Sequence, residues 1–232
     1  MRIHHAGKSQ PVFAVVHSFG AGDIVLVWAG SNDGLALLGA VGAAQISPAT
    51  AVANMQTAGT ELATLIKNEI AAKGATRIAV LDFFDPVLFP NIAAMPAANQ
   101  TLARQFQTTF NTALSSGLAG TASVAIIDMN VLLTDVAANP SKYGMANVAS
   151  FACDPARMAP ATTGSALFCN AATAAQLAVA GLPATISSLR TGANINTWFW
   201  ADGYHPSTGG HKVIGDYVIA KIKEFGWMPA NQ

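Results

Sequence analysis

The sequence predicts an α/β fold built on a parallel sheet, and two observations carry that prediction. Three short, continuous apolar runs rich in β-branched residues read as buried strands: Asp23–Trp28, Arg77–Phe83 and Ser123–Asp128. Between them lie long stretches whose apolar residues recur at helical spacing, so strand and helix alternate, as parallel strands joined by right-handed crossovers require. The 232 residues suffice for one sizeable core and one domain. With 52% hydrophobic and only 10% charged residues, a large buried area is expected.

Taken in order, Asp23–Trp28 is expected to be buried and to end in a turn at Gly30-Ser31-Asn32-Asp33-Gly34. Ser47-Pro48 is a helix start, with serine at the N-cap and proline at the first helical position. Val52, Met55, Leu62, Leu65, Ile66 and Ile70 continue that helix to about Lys73, where Gly74 stops it. Arg77–Phe83 is the second strand, and Asp85-Pro86 and Phe89-Pro90 interrupt regular structure beyond it. Leu102, Phe106, Phe110 and Leu114 mark a second long helix ending near Gly117. Ser123–Asp128 is the third strand, followed by a short helix over Met129–Ala138. The alternation is then expected to stop. Residues Asn139–Asn196 read as a long loop rich in Ala, Thr, Gly, Pro and Asn, with helical character near Ala171–Ala180, and a loop of that length is usually a lid or pocket wall. A last helix opens at about Ser207, turns Val213, Ile214, Tyr217, Val218, Ile222 and Phe225 inward, and stops at Gly226. No internal repeat is present.

Net charge is zero, with Lys+Arg and Asp+Glu at 12 each. No basic stripe suggests nucleic acid, and no polybasic segment suggests an anionic membrane surface. No apolar run reaches the length of a bilayer span. The N-terminal segment has a short apolar run but no small-x-small cleavage site, so it is not read as a signal peptide. His4 and His5 are expected to face solvent rather than bind a metal. Cys153 and Cys169 flank a Gly/Pro/Thr-rich stretch and read as a disulfide, the alternative being two free thiols. A bridge would point to an oxidising compartment and add about 3 kcal/mol by loop closure.

The stretch Thr197–His211 (TWFWADGYHPSTGGH) concentrates the candidate chemistry. In Asp202 and His205, a carboxylate that accepts from one imidazole nitrogen fixes the tautomer and leaves the other nitrogen as a base, two-thirds of a serine-hydrolase triad. Asn32 follows the first strand, where ligands of open parallel sheets bind, and its amide suits a developing oxyanion. Each signal alone is weak: Asp-x-x-His arises by chance, and Gly-x-Asn-Asp can simply be a turn.

In combination they are specific. Gly30-Ser31-Asn32-Asp33 and Trp200-Ala201-Asp202-Gly203-Tyr204-His205-Pro206 resemble the third and fifth conserved blocks of the SGNH (GDSL) hydrolase family. Asn139-Pro140-Ser141-Lys142-Tyr143-Gly144 and the Cys-flanked SALFCN segment resemble the phospholipase/lecithinase/haemolysin branch of secreted bacterial GDSL esterases. The resemblance spans residues from about 22 to 226. It implies a three-layer α/β/α sandwich of the SGNH-hydrolase (flavodoxin-like) kind and carboxylic ester hydrolysis through an acyl-enzyme, without a cofactor or metal. It also implies a small ester or lipid substrate and a secreted or periplasmic location. By position it assigns Asn32 as oxyanion-hole donor, His205 as general base and acid, and Asp202 as its orienting carboxylate.

One departure stands out. The family's nucleophile is the serine of an N-terminal Gly-Asp-Ser, and this chain has none: Gly22-Asp23 is followed by Ile24 and Gly215-Asp216 by Tyr217. The second block, a glycine donating a backbone N–H, has no clear match. By this comparison the chain lacks the family's first strands, and residues 1–232 form a single, N-terminally shortened domain with an insertion over about 139–196. Ser18, in Val16-His17-Ser18-Phe19-Gly20, resembles the Gly-x-Ser-x-Gly elbow of α/β-hydrolases, but Val16 stands where close packing demands glycine. If Val12–Val16 is a strand beside Ile24–Trp28, the link is too short for a parallel crossover and Ser18 falls at the wrong end of the sheet; a helix over Pro11–Phe19 escapes that objection. Ser31 reads as turn geometry and Ser207 as the last helix's N-cap. No nucleophile is assigned.

Other readings are weaker. Asp202, His205 and His211 match no standard metal spacing. Trp198, Phe199 and Trp200 suit either an acyl pocket or core packing, Tyr143 and its turn either a cleft wall or loop chemistry, and His17 has no nameable partner. Without the family's first strand, the edge at Ile24–Trp28 would expose unpaired backbone. It is expected to be covered by Val12–Val16 folding back or by a second subunit of a homo-oligomer. Two functions remain: an esterase or lipase completed by an atypical serine or another polypeptide, and a catalytically silent SGNH-like binding module or remnant of a longer enzyme.

Overall fold

The strand Ile78–Leu81 (β2) is buried along its whole length, and β1 (Val25–Trp28) and β3 (Val124–Ile127) pair with it in parallel on either side. These are the three apolar runs of the sequence, in the α/β alternation expected of them. A computed structural model describes residues 18–158 and 164–228; the expectations placed on His4, His5, Val12–Val16 and His17 lie outside the described residues. The chain forms two compact units. One comprises the chain up to Phe83, Phe106–Ile127 and the end from Ile222; the other comprises Phe84–Gln105 and Asp128–Lys221.

In the first unit β1 departs from expectation. It is half-exposed rather than buried, with Leu26 at 56% and Trp28 at 40% exposure. The reason is position: among the described residues β1 pairs with β2 alone and forms an edge, and only the middle strand has a neighbour on both sides. Gly30-Ser31-Asn32-Asp33-Gly34 is likewise not a free turn. Gly30 makes the whole turn at φ 111°, and helix α1 (Ser31–Gly42) begins at the next residue. Only glycine fits at position 30, because a Cβ there would lie 2.4 Å from the Phe110 ring.

Helix α2 (Pro48–Leu65) starts as its N-cap predicts, with Ser47 Oγ accepting from the Thr50 amide at 3.1 Å. It continues through a π-helical turn (Ile66–Ile70) and a 3-10 turn (Ala71–Lys73) to Gly74, the predicted stop, at φ 95°. Its buried face includes small residues that hydrophobic periodicity underweights: Ala51, Gly59 and Ala63 as well as Met55, Ile66 and Ile70. At Gly59 a Cβ would sit 2.5 Å from the Phe110 carbonyl, so the absence of a side chain sets the distance between α2 and the crossing helix. The helices α3 (Pro90–Ala93) and α4 (Ala97–Leu118) follow β2. Leu102, Phe106, Phe110 and Leu114 of α4 are all buried, as their four-residue recurrence predicts. Phe110 meets Phe83 edge-on at 6.3 Å.

In the second unit, helix α5 (Met129–Ala138) occupies its predicted span, capped by Asp128, whose carboxylate accepts from Asn130 and Val131. The alternation, expected to end there, continues. Strand β4 (Asn147–Phe151) pairs in parallel with β5 (Trp198–Trp200). The sequence hides β4 because Asn147 interrupts it: its Oδ1 accepts from the amides of Ala149 and Ser150, and the ladder shifts register between Asn147 and Phe151. Helix α6 (Ala174–Val179) lies inside the predicted Ala171–Ala180 stretch and carries a capping box of Thr173 and Gln176. Helix α7 (Thr208–Glu224) is last, with Val213, Ile214, Val218 and Ile222 buried. Among the described residues no helix is long and apolar enough to cross a membrane.

Candidate functional site

Strand β5 delivers the chain to the Asp202 loop. Trp200 bridges antiparallel to Pro206, and the Ala201 N–H donates to the His205 carbonyl at 2.8 Å, so Ala201–Pro206 folds back on itself within six residues. Pro206 disfavours the helical region for His205 and delays α7 by two residues. The loop rests on aromatic rings: Phe89 packs 5.5 Å from Trp200 and 5.9 Å from Tyr204. Phe199 and Trp200 are 1% and 3% exposed and belong to the core. The cavity they line with Leu88, Leu133, Val136, Ala137 and Val148 holds about 20 Å³, room for a water but not for an acyl chain. Of the two roles open to this aromatic run, core packing is the one these two residues fill.

Asp202 is buried and His205 is exposed, with side-chain exposures of 5% and 62%. The ring's Nδ1 lies 2.9 Å from Oδ1 and 2.8 Å from Oδ2 of the carboxylate. Oδ1 also accepts the backbone N–H groups of Tyr204 and His205, both at 2.8 Å. Oδ2 accepts the N–H of Ala166 at 2.6 Å, from outside the loop. Burial pushes the Asp202 carboxyl up, but the Ala166 and Tyr204 amides, the His205 ring and the His205 amide outweigh it and hold the carboxyl below its ordinary value. An ionised carboxylate only accepts, so Nδ1 carries the ring proton and donates it. In the neutral ring Nε2 then faces solvent as a free base, and no described residue bonds it.

Asn32 lies in the first unit, in the first turn of α1, exposed and without a side-chain partner among the described residues. Its amide is therefore available to a ligand. Of the serines weighed as nucleophile, Ser207 is 3% exposed and fully engaged: its single O–H is shared between the carbonyls of Ile195 and Trp198, and its Oγ accepts from Gly210 N–H. It is the N-cap its sequence position suggested. Ser31 is the first residue of α1 and Ser18 is exposed. His211 is exposed in the first turn of α7.

Cys153 and Cys169 are joined, as their positions suggested. Tyr143 and Lys142 both donate to Asp135 of α5, and so does the Asn139 side chain at 2.6 Å. The Asn139–Gly144 turn is thereby pinned to its own helix, which accounts for its residues as loop chemistry. The contribution of Ala166 was invisible in the sequence, because a backbone donor leaves no signature in residue type.

No curated protein sequence matches this chain significantly. The sequence profile of the family described as GDSL-like Lipase/Acylhydrolase matches residues 9–218. That is the family whose blocks residues 30–33 and 200–206 resemble, and the α/β alternation with a parallel sheet is its fold. The chain therefore belongs to the GDSL-like lipase/acylhydrolase family, and that membership implies acyl-ester hydrolysis as its chemistry.

Proposed function

We propose that the chain acts as one SGNH-hydrolase-like domain that hydrolyses carboxylic esters, of the esterase or lipase kind, outside the cytoplasm. The observation that carries this reading is the buried, four-donor Asp202 holding an exposed His205 by Nδ1. That arrangement leaves Nε2 as a base open to substrate. Nε2 removes the proton of the attacking hydroxyl as its oxygen adds to the ester carbon. The negative charge that moves onto the carbonyl oxygen is met by the Asn32 amide, a role proposed on its place in the family's third block. Collapse expels the alkoxide, which takes the proton back from the imidazolium, and water repeats the cycle on the acyl intermediate. The nucleophilic oxygen is not assigned to a residue. The Cys153–Cys169 bridge supports a secreted or periplasmic setting.

Hydrolysis of p-nitrophenyl acetate and butyrate tests the reading. His205→Ala should abolish turnover. Asn32→Ala should lower kcat roughly 10²–10³-fold with KM little changed, the scale of one lost oxyanion donor. Fluorophosphonate labelling with peptide mapping then identifies the nucleophile. Equal rates for wild type and His205→Ala would remove the catalytic reading in favour of a silent binding module.

A further inference from the structure

We propose that the backbone amide of Ala166 is a positioning group for the Asp202–His205 pair, and that the Cys153–Cys169 disulfide holds it in place. The proposal rests on the catalytic reading above and adds a residue to it. Among the described residues, Ala166 supplies the one hydrogen bond to the Asp202 carboxylate that comes from outside residues 202–205. It falls on Oδ2, whose other donor is the His205 ring itself. Oδ1, in contrast, is anchored by two backbone amides of its own loop. Without Ala166, Oδ2 would have no fixed partner except the group it is meant to orient, and the carboxylate could turn about Oδ1.

The amide's own support is unusual. Ala166 opens a single 3-10 turn, Ala166–Phe168, capped by Ser165 and closed by Cys169. The turn has little apolar anchorage: Leu167 is 83% and Phe168 57% exposed. On its downstream side the turn is held at Cys169, through the bridge to the buried Cys153, and at Asn170, whose carbonyl accepts from Ser188 N–H at 2.9 Å. Cys153 is not a neutral anchor. Its N–H donates to the Ala201 carbonyl at 2.9 Å, and the Ala152 N–H donates to the Trp200 carbonyl at 2.9 Å. The bridge thus fastens the donor's turn to a segment that is hydrogen-bonded to the residues running directly into Asp202, so donor and acceptor are registered through one disulfide and two backbone hydrogen bonds.

Ala166→Pro deletes the N–H with little demand on the backbone. Proline already occupies the equivalent first position of three other 3-10 turns, at Pro86, Pro140 and Pro155. Ser165, at φ −69° and ψ 135°, already has the conformation a residue before proline needs. Ala166→Gly, which keeps the N–H, is the control. Two readouts are needed: titration of the Asp202 carboxyl by carbon NMR, and kcat and KM on p-nitrophenyl butyrate. Ala166→Pro is expected to raise the Asp202 midpoint and to lower kcat roughly ten- to a hundredfold, the scale of one hydrogen bond to a charged group, with KM nearly unchanged. Ala166→Gly should leave the Asp202 midpoint at its wild-type position. The Cys153→Ser/Cys169→Ser double variant, checked by circular dichroism, should follow Ala166→Pro in both readouts, which covers the case in which the proline variant does not fold. An unmoved Asp202 midpoint in either variant overturns the proposal, and so does a raised midpoint with unchanged kcat. Failure of the catalytic reading is recognised separately, by wild-type turnover in His205→Ala, and the titration still reports whether Ala166 holds Asp202.

Discussion

Nδ1 of His205 lies within 2.9 Å of both oxygens of Asp202, so one buried carboxylate chelates the proton of one exposed ring. The ring's orientation and tautomer both depend on that carboxylate being ionised. Asp202→Asn keeps the shape but can turn an N–H toward Nδ1, which selects the wrong tautomer. A fall in kcat of roughly 10³–10⁴-fold is expected, with circular dichroism unchanged. Turnover of p-nitrophenyl butyrate measures it, and a variant within a few-fold of wild type would remove Asp202 from the mechanism.

Ser207 offers the opposite expectation. It stands two residues after His205, yet its hydroxyl is buried and committed to Ile195, Trp198 and Gly210. Ser207→Ala removes the cap of α7 and the hydroxyl that lies between the Ile195 and Trp198 carbonyls. The cost is about 1–2 kcal/mol in a urea titration. Ester hydrolysis per folded molecule should be unaffected. Loss of turnover without loss of stability would make Ser207 a nucleophile rather than a cap.

At Gly210, α7 passes close against β5. A Cβ there would lie 2.2 Å from the Phe199 carbonyl oxygen and 2.9 Å from Pro206 Cβ, and neither a strand backbone nor a proline ring can step aside. Gly210→Ala should destabilise the protein by about 1–3 kcal/mol. At roughly 2–4 °C of Tm per kcal/mol for a chain of this size, a thermal melt resolves the change. An unchanged Tm would mean that α7 shifts freely against β5.

The Asp135 cluster predicts an acid-sensitive element. Hydrogen bonds from Lys142, Tyr143 and Asn139 hold the Asp135 carboxyl at about 2, below its ordinary value of 3.8. A carboxyl depressed in the folded state stabilises it above the unfolded value, and that contribution is lost as pH falls through the folded one. Urea midpoints should therefore fall between about pH 4 and pH 2. Asp135→Asn, which cannot ionise, should show a shallower decline over the same range. Identical slopes for the two proteins would separate the cluster from acid stability.

The sequence by itself determined the elements whose signals are local. Apolar β-branched runs placed β1, β2 and β3. Four-residue recurrence placed α4, and Ser47-Pro48 and Gly74 bounded the α2 helix. Ser207 announced its cap, and the Asp202–His205 spacing marked the loop before α7. Each depends on side-chain type at short range, which a sequence displays directly. The tertiary structure decided the features that depend on a neighbour distant along the chain. The strand β4 is paired by β5 some fifty residues later, although Asn147 breaks its pattern. The half-exposure of β1 comes from having β2 on one side only among the described residues. Gly30 and Gly59 are required by approaches of Phe110, a residue on another helix. The fourth donor to Asp202 is a backbone amide of Ala166, thirty-six residues upstream. A peptide N–H is the same at every residue but proline, so its role is set by where the chain carries it and not by which residue bears it.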